Sequence, residues 1–260
     1  MAVELCEEID QSTEGVSLSV KNFGTLKKSV THITSARGAK AIGRPIGTYV
    51  TIEFGDGGTL MNPAVSDKIS DILAEALKQF LEKGNSAKAP QKDGGKLRLL
   101  IIGLGNNKFV VDSLGPKVCE HTPVGENLAA FAPGILATTG LQSTDTILAI
   151  TRLYRPTHVV IVDTLVCHES TRLGSCIQIS DTGITPGSGI TRDNKVIDRT
   201  FLGVPVIAIG MPLVIYEPKI HYVIPKMVDA LVASCALSIA NAIAKLTRPL
   251  QVQTQGKTPT

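Results

Sequence analysis

Hydrophobic and polar positions change rhythm along this chain. From Val16 to Phe54 they alternate, in Val16-Ser17-Leu18-Ser19-Val20, Val30-Thr31-His32-Ile33-Thr34 and Tyr49-Val50-Thr51-Ile52-Glu53-Phe54. Alternation rich in β-branched residues and punctuated by Gly and Pro predicts a small antiparallel unit. A helix then opens at Asn62-Pro63 or at Ser66. Ile69, Ile72, Leu73, Leu77, Phe80 and Leu81 share one helical face, and Gly84 is placed to end it. Gly84 to Lys96 is polar, Gly-rich and Lys-rich, which predicts a surface loop.

From Leu97 the strands become continuous apolar runs, as expected where a sheet is covered on both faces. Leu97–Ile102, His158–Val162, Cys176–Ile179 and Val204–Ile209 read as strands, with helices at Leu114–Cys119 and Ser143–Tyr154 between them. Ser143 or Thr144 is the cap expected for the second helix. A last helix runs from Pro225 to about Leu246 and is apolar enough to raise a membrane span. Lys226, Asp229, Asn241 and Lys245 shorten its uncharged part, so a core or subunit-contact helix is the better reading. The fold class is therefore α/β, three-layered, with a central, largely parallel sheet flanked by helices and a small antiparallel N-terminal β extension. Residues 1–250 read as a single domain and 251–260 as a flexible tail.

Composition narrows the function. The 260 residues carry 26 basic and 23 acidic side chains for a net charge of +3, too balanced for a nucleic-acid binder. The five cysteines, Cys6, Cys119, Cys167, Cys176 and Cys235, are odd in number and match no zinc spacing. With no secretory signal pattern at the start, a reducing cytoplasm is the expected setting and the thiols read as core fillers. Cys167 beside His168 is a weak nucleophile–base candidate, because strand neighbours face opposite ways.

The strongest chemical signal is a pair of aspartates. Asp112 follows the turn after Leu97–Ile102, and Asp163 directly follows His158–Val162. Ligands bind at the carboxyl ends of strands in open α/β sheets. Two carboxylates delivered there can share a proton, hold a water or bind a metal. Each aspartate also has a plainer reading as a helix cap, and for Asp112 alone that is the commoner role. Gly103-Leu104-Gly105-Asn106 lacks the third glycine of a dinucleotide site, where Lys108 stands. Either the glycines relieve a tight strand exit, or the turn offers N–H groups to a polarised carbonyl. Asp181-Thr182-Gly183 resembles the triplet of pepsin-like proteases, but it occurs once and reads equally as a structured loop. Gly103, Gly105, Asn106, Lys117, Asp181 and Gly183 are the candidates for oxyanion or substrate contacts.

Several motifs together resemble the spore germination protease family. They are Gly103-Leu104-Gly105-Asn106, Asp112-Ser113-Leu114-Gly115-Pro116-Lys117, Ala132-Pro133-Gly134 with Thr139-Gly140, Ile177–Ile184 with Pro186-Gly187-Ser188-Gly189, and Val204–Gly210. Ala41-Ile42-Gly43 with Gly47–Thr51 adds to the likeness, which covers most of the chain. The resemblance implies an atypical aspartic endopeptidase that degrades small acid-soluble spore proteins during germination. It places the two essential aspartates at Asp112 and Asp163, and needs no cofactor. It further implies a homotetramer made as a zymogen in the cytoplasm of the spore core, with no membrane or direct nucleic-acid partner. The sheet is similar to that of hydrogenase-maturation endopeptidases, whose carboxylates surround nickel. The chain departs from the pattern at Val110-Val111, Thr164-Leu165-Val166, Thr185 and Tyr216, and Met1-Ala2-Val3-Glu4 resembles the start of the mature family enzyme. Two alternatives follow: a metal-dependent peptidase using His121 or His168, and a catalytically inactive oligomeric binding homologue.

Overall fold

The alternating N-terminal segments form strands, and they extend the main sheet instead of standing beside it. The computed structural model describes residues 1–5, 13–85, 96–188, 195–217 and 221–252. Cys6, Gly189, most of the loop expected at 84–96 and the end of the expected tail lie outside the described residues.

Strand β1 is Ala2–Val3, β2 Val16–Phe23, β3 Leu26–Ile33, β4 Gly47–Glu53, β5 Leu99–Gly103, β6 Leu128–Phe131, β7 His158–Cys167, β8 Cys176–Ser180, β9 Val206–Glu217 and β10 His221–Val223. Helix α1 spans Ala36–Ile42, α2 Gly57–Leu60, α3 Pro63–Asn85, α4 Leu114–His121, α5 Leu136–Thr139, α6 Ser143–Tyr154, α7 Arg199–Leu202 and α8 Val228–Val252. All ten strands join one sheet in the order β2-β3-β4-β8-β9-β7-β5-β6, with β1 on β7 and β10 on β9. The β9-β7-β5-β6 section is parallel. The β2-β3-β4-β8 wing is antiparallel and joins through β8 against β9.

Alternation sorts the core into two layers. Ile101, Val160, Val162, Ile207 and Ile209 face α3, α4 and α8, where Leu73, Leu77, Val118, Val232 and Ile239 are buried. Leu100, Ile102, Val159, Ile161 and Ala208 face the other way, onto Ile147 of α6, Ala2, Ile184 and Ile197. Each buried Val, Leu or Ile among them contributes roughly 1.5–3 kcal/mol by leaving water. Val228–Leu246 has the length and apolarity of a membrane span, but its Leu231, Val232, Cys235, Ala236, Ile239 and Ile243 pack in the first layer.

Some elements differ from the sequence reading. Strand β7 does not stop before Asp163 but runs on to Cys167, because β9 and β1 flank its second half. Gly84 does not end α3, which continues to Asn85; a Cβ at Gly84 would stand 2.6 Å from His158 Nε2, so the glycine makes room for that ring. Gln142, not Ser143 or Thr144, sits at the N-cap of α6 and makes no side-chain cap bond.

Candidate active site

Strand β5 ends where Gly103 pairs with Val162, and Leu104 N–H still donates to Val162 O at 2.8 Å. Further along the same edge of β7, β1 pairs in parallel, Ala2 with Leu165 and Val3 with Val166. The two short strands thus lie in tandem along β7, and the break between them falls at Asp163. Into this break the chain after β5 sends a 3-10 turn, Val110–Asp112.

Both aspartates point at one atom. The α-amino nitrogen of Met1 lies 3.5 Å from Asp112 Oδ1 and 3.6 Å from Asp163 Oδ2. Those two oxygens have no hydrogen-bond partner among the described residues. Asp163 is fully buried, and Asp112 retains 8 % of its exposure. Burial pushes the Asp163 carboxyl up to about 6; the ammonium opposes the shift and the neighbouring Asp112 adds to it. Burial also raises Asp112, against the ammonium and the nearby Asn106 N–H. The ammonium is itself penalised by burial, but the two carboxylates outweigh that and raise it.

The capping readings fall away. Ser113, not Asp112, occupies the N-cap of α4, and Asp163 lies inside a strand. A residue that is buried, charged and not structurally committed in this way is a candidate for chemistry. Asp163 Oδ1 accepts from Thr164 N–H at 2.8 Å, and Thr164 Oγ1 donates to Val111 O at 2.8 Å.

The glycines of the strand exit are explained by crowding. A Cβ at Gly103 would stand 2.2 Å from Gly115 O, and one at Gly105 would stand 2.0 Å from Asp112 O. Gly105 also has φ +116°, where L side chains are strained. The N–H groups of Leu104 and Asn106 are spent on Val162 O and Asp112 O. The turn therefore braces Asp112, and those two amides cannot serve an oxyanion. Beside it opens a cavity of about 480 Å³, whose lining includes Gly105, Asn106, Lys108, Pro116, Cys119 and Thr138.

The remaining candidates separate from the pair. Asp181 lies beyond Ser180, whose partner is Ala208, whereas Asp163 is level with Gly210 and Gln178. Its carboxylate accepts from Thr48 N–H at 2.7 Å and Lys83 Nζ at 2.9 Å, so it ties β4 to α3. Gly183 has φ +79° and packs against Ile197 O. Lys117 sits half-buried in the first turn of α4 and forms no ion pair with either aspartate among the described residues. His121 and His168 are exposed. No group of three or more metal-ligating side chains occurs among the described residues. Burial lifts the Cys167 thiol to about 12, unsuited to a nucleophile.

Sequence reasoning missed the anchoring of the first residues. Glu4 is buried, with its Oε1 3.1 Å from Arg172 Nε and 2.7 Å from Gln178 Nε2. Leu5 N–H donates to Gln178 Oε1 at 2.7 Å, and Val3 N–H to Ser188 Oγ at 3.0 Å. The available signal was a lone acid between Val3 and Leu5 in an otherwise apolar start.

A family model described as germination protease matches residues 2–231, a span that takes in both aspartates and every parallel strand. The chain belongs to the germination protease family. A germination protease of Geobacillus sp. (strain WCH70) is 34% identical over 217 residues, covering 78% of this chain and 56% of that protein. One from Oceanobacillus iheyensis is 33% identical over 224 residues, 80% and 59% respectively. One from Bacillus subtilis (strain 168) is 32% identical over 237 residues, 83% and 62%. The chain thus spans 56% to 62% of the length of these germination proteases.

Proposed function

We propose that this chain is an endopeptidase in which Asp112 and Asp163 activate water, acting on small acid-soluble spore proteins during germination. One observation carries the reading: two buried carboxyl groups from separate elements converge on a single nitrogen, and the converging oxygens have no hydrogen-bond partner among the described residues. Ala2–Val3 lies along β7 beside Asp163, as an extended substrate strand would. Strand addition of this kind supplies main-chain bonds to any extended substrate.

With a water between them, the carboxyls repel and desolvate each other, so the pair holds a single proton. Asp163, the more buried, keeps it and donates to the scissile carbonyl. Asp112, the more exposed, takes the proton of the attacking water. The new C–O bond forms as the carbonyl π bond opens. The C–N bond then breaks: the amine leaves with the proton held by Asp112, and the carbonyl re-forms as a hydroxyl returns its proton to Asp163.

The reading extends, through the family, to a homotetramer in the cytoplasm of the spore core. The test is cleavage of a purified small acid-soluble spore protein. The parent should cut it. Asp112→Asn and Asp163→Asn should each lower kcat about 10²–10⁴-fold with unchanged circular dichroism. Full activity in either variant overturns the mechanism, and no cleavage by the parent at any pH favours the inactive binding homologue. Loss of activity in chelator, restored by a divalent ion, would favour the metal-dependent alternative.

A further inference from the structure

We propose that Thr164 is the positioning residue that sets the spacing between the two aspartates. The inference rests on the reading of Asp112 and Asp163 as the water-activating pair. Asp163 is carried by β7, whereas Asp112 arrives on the 3-10 turn after β5, so their separation is not fixed by one rigid element. Thr164 bonds to Asp163 and to the turn that carries Asp112. Its main-chain N–H holds Asp163 Oδ1 at 2.8 Å, and its side-chain hydroxyl holds Val111 O, one residue before Asp112, at 2.8 Å.

Strand geometry makes this possible. Asp163 shares its side of β7 with Val159 and Ile161, and Thr164 points to the opposite layer with Val160 and Val162. Val111 and Leu114 pack in that same layer. Thr164 is fully buried, so no water can replace its hydroxyl at the carbonyl of Val111, itself 2 % exposed. The Asp112 side of the turn is held from behind by Asn106 N–H on Asp112 O at 2.9 Å and by Ser113 Oγ on Val110 O at 2.7 Å. Through its hydroxyl Thr164 ties this turn to the strand of the other aspartate. A β-branched side chain adds to the effect, because its χ1 is stiff.

Thr164→Val keeps the shape and removes the donor, and Thr164→Ser keeps the donor. A misplacement of the pair costs rate more than binding, so Thr164→Val should lower kcat about 10- to 100-fold with KM within about threefold. It should also change the separation of the two limbs of the pH–kcat profile, because the limbs report the coupling of the carboxyls. Thr164→Ser should restore both to within about threefold of the parent, a recovery that a merely structural role does not produce in the pH profile. Should Thr164→Val fail to fold, Thr164→Ala against Thr164→Ser carries the same contrast. Unchanged kcat and pH limbs in the folded variant lacking the hydroxyl would overturn the proposal. If Asp163→Asn is inactive while the hydroxyl-free variant is fully active, the tether alone is wrong. If Asp163→Asn stays active, the reading beneath it is wrong.

Discussion

Strand β7 carries a buried ionisable group at its start and another midway along it, and the two keep different company. His158, at its start, is 1 % exposed; Nδ1 lies 3.1 Å from Thr157 Oγ1, while Nε2 has no partner among the described residues. Burial drives its pKa down to about 4, with nearby Arg199 adding to the effect, so the ring is neutral. Asp163 is just as buried, and burial pushes its pKa up to about 6, with the facing cation opposing the shift and the second carboxylate adding to it. Burial thus favours the neutral form of both groups, and only Asp163 faces a second carboxylate and an ammonium. Burial alone marks a structural residue; burial beside a second carboxylate marks a candidate for chemistry.

Activity should separate the two groups most sharply. Asp163→Asn should cost about 10²–10⁴-fold in kcat, whereas His158→Gln should leave kcat within about twofold at pH 7. Equal losses in folded forms of both variants would erase the distinction.

Stability against pH comes next in size. Unfolded His158 titrates near 6.5 and native His158 near 4, so between those values the unfolded chain binds the extra proton. Its contribution is complete above pH 6.5 and falls by roughly 3 kcal/mol as pH drops to 4. Asp163 runs the other way: its native form binds the extra proton between about 6 and 3.8, so acidification across that window favours the fold. Urea titrations should show a shallower acid loss in His158→Gln and a steeper one in Asp163→Asn. The reverse order would refute the assignment of burial as the dominant cause.

Smaller effects sharpen the picture. Gly84→Ala gains about 1 kcal/mol of helix propensity. Its Cβ would press on His158 Nε2 at 2.6 Å, and overpacking costs roughly 1–3 kcal/mol, so a net loss of Tm is expected with activity intact. Lys83→Met removes a half-exposed ion pair with Asp181. Its effect on stability should be at most about 1 kcal/mol, with no change in kcat. A large fall in kcat would return Asp181 to the active site.

Much of this was legible in the residues. Continuous apolar runs announced the covered parallel strands, and spacing announced α3, α6 and α8. Asp112 and Asp163 stood out because two acids followed such runs. What stayed hidden depends on pairing between distant segments. Strand β1 is two residues long and exists only because β7 offers an edge beyond Gly103. Strand β6 is similarly brief and is defined by its place on β5. Asp181 looked chemical because turn residues serve loops and sites alike, and only its bonds to Thr48 and Lys83 decide between them. Thr164 stood out only as a departure from the family pattern, since a hydroxyl's partner across 53 positions of sequence cannot be read from its neighbours.

The thiols of the interior have a practical use. Cys167, Cys176 and Cys235 are buried, and burial holds each far from ionisation at neutral pH. An alkylating reagent reaches them only when the surrounding structure opens. Cys235 lies on the long C-terminal helix and Cys176 at the antiparallel wing, so site-resolved labelling rates would time the breathing of each region separately, without any engineered probe.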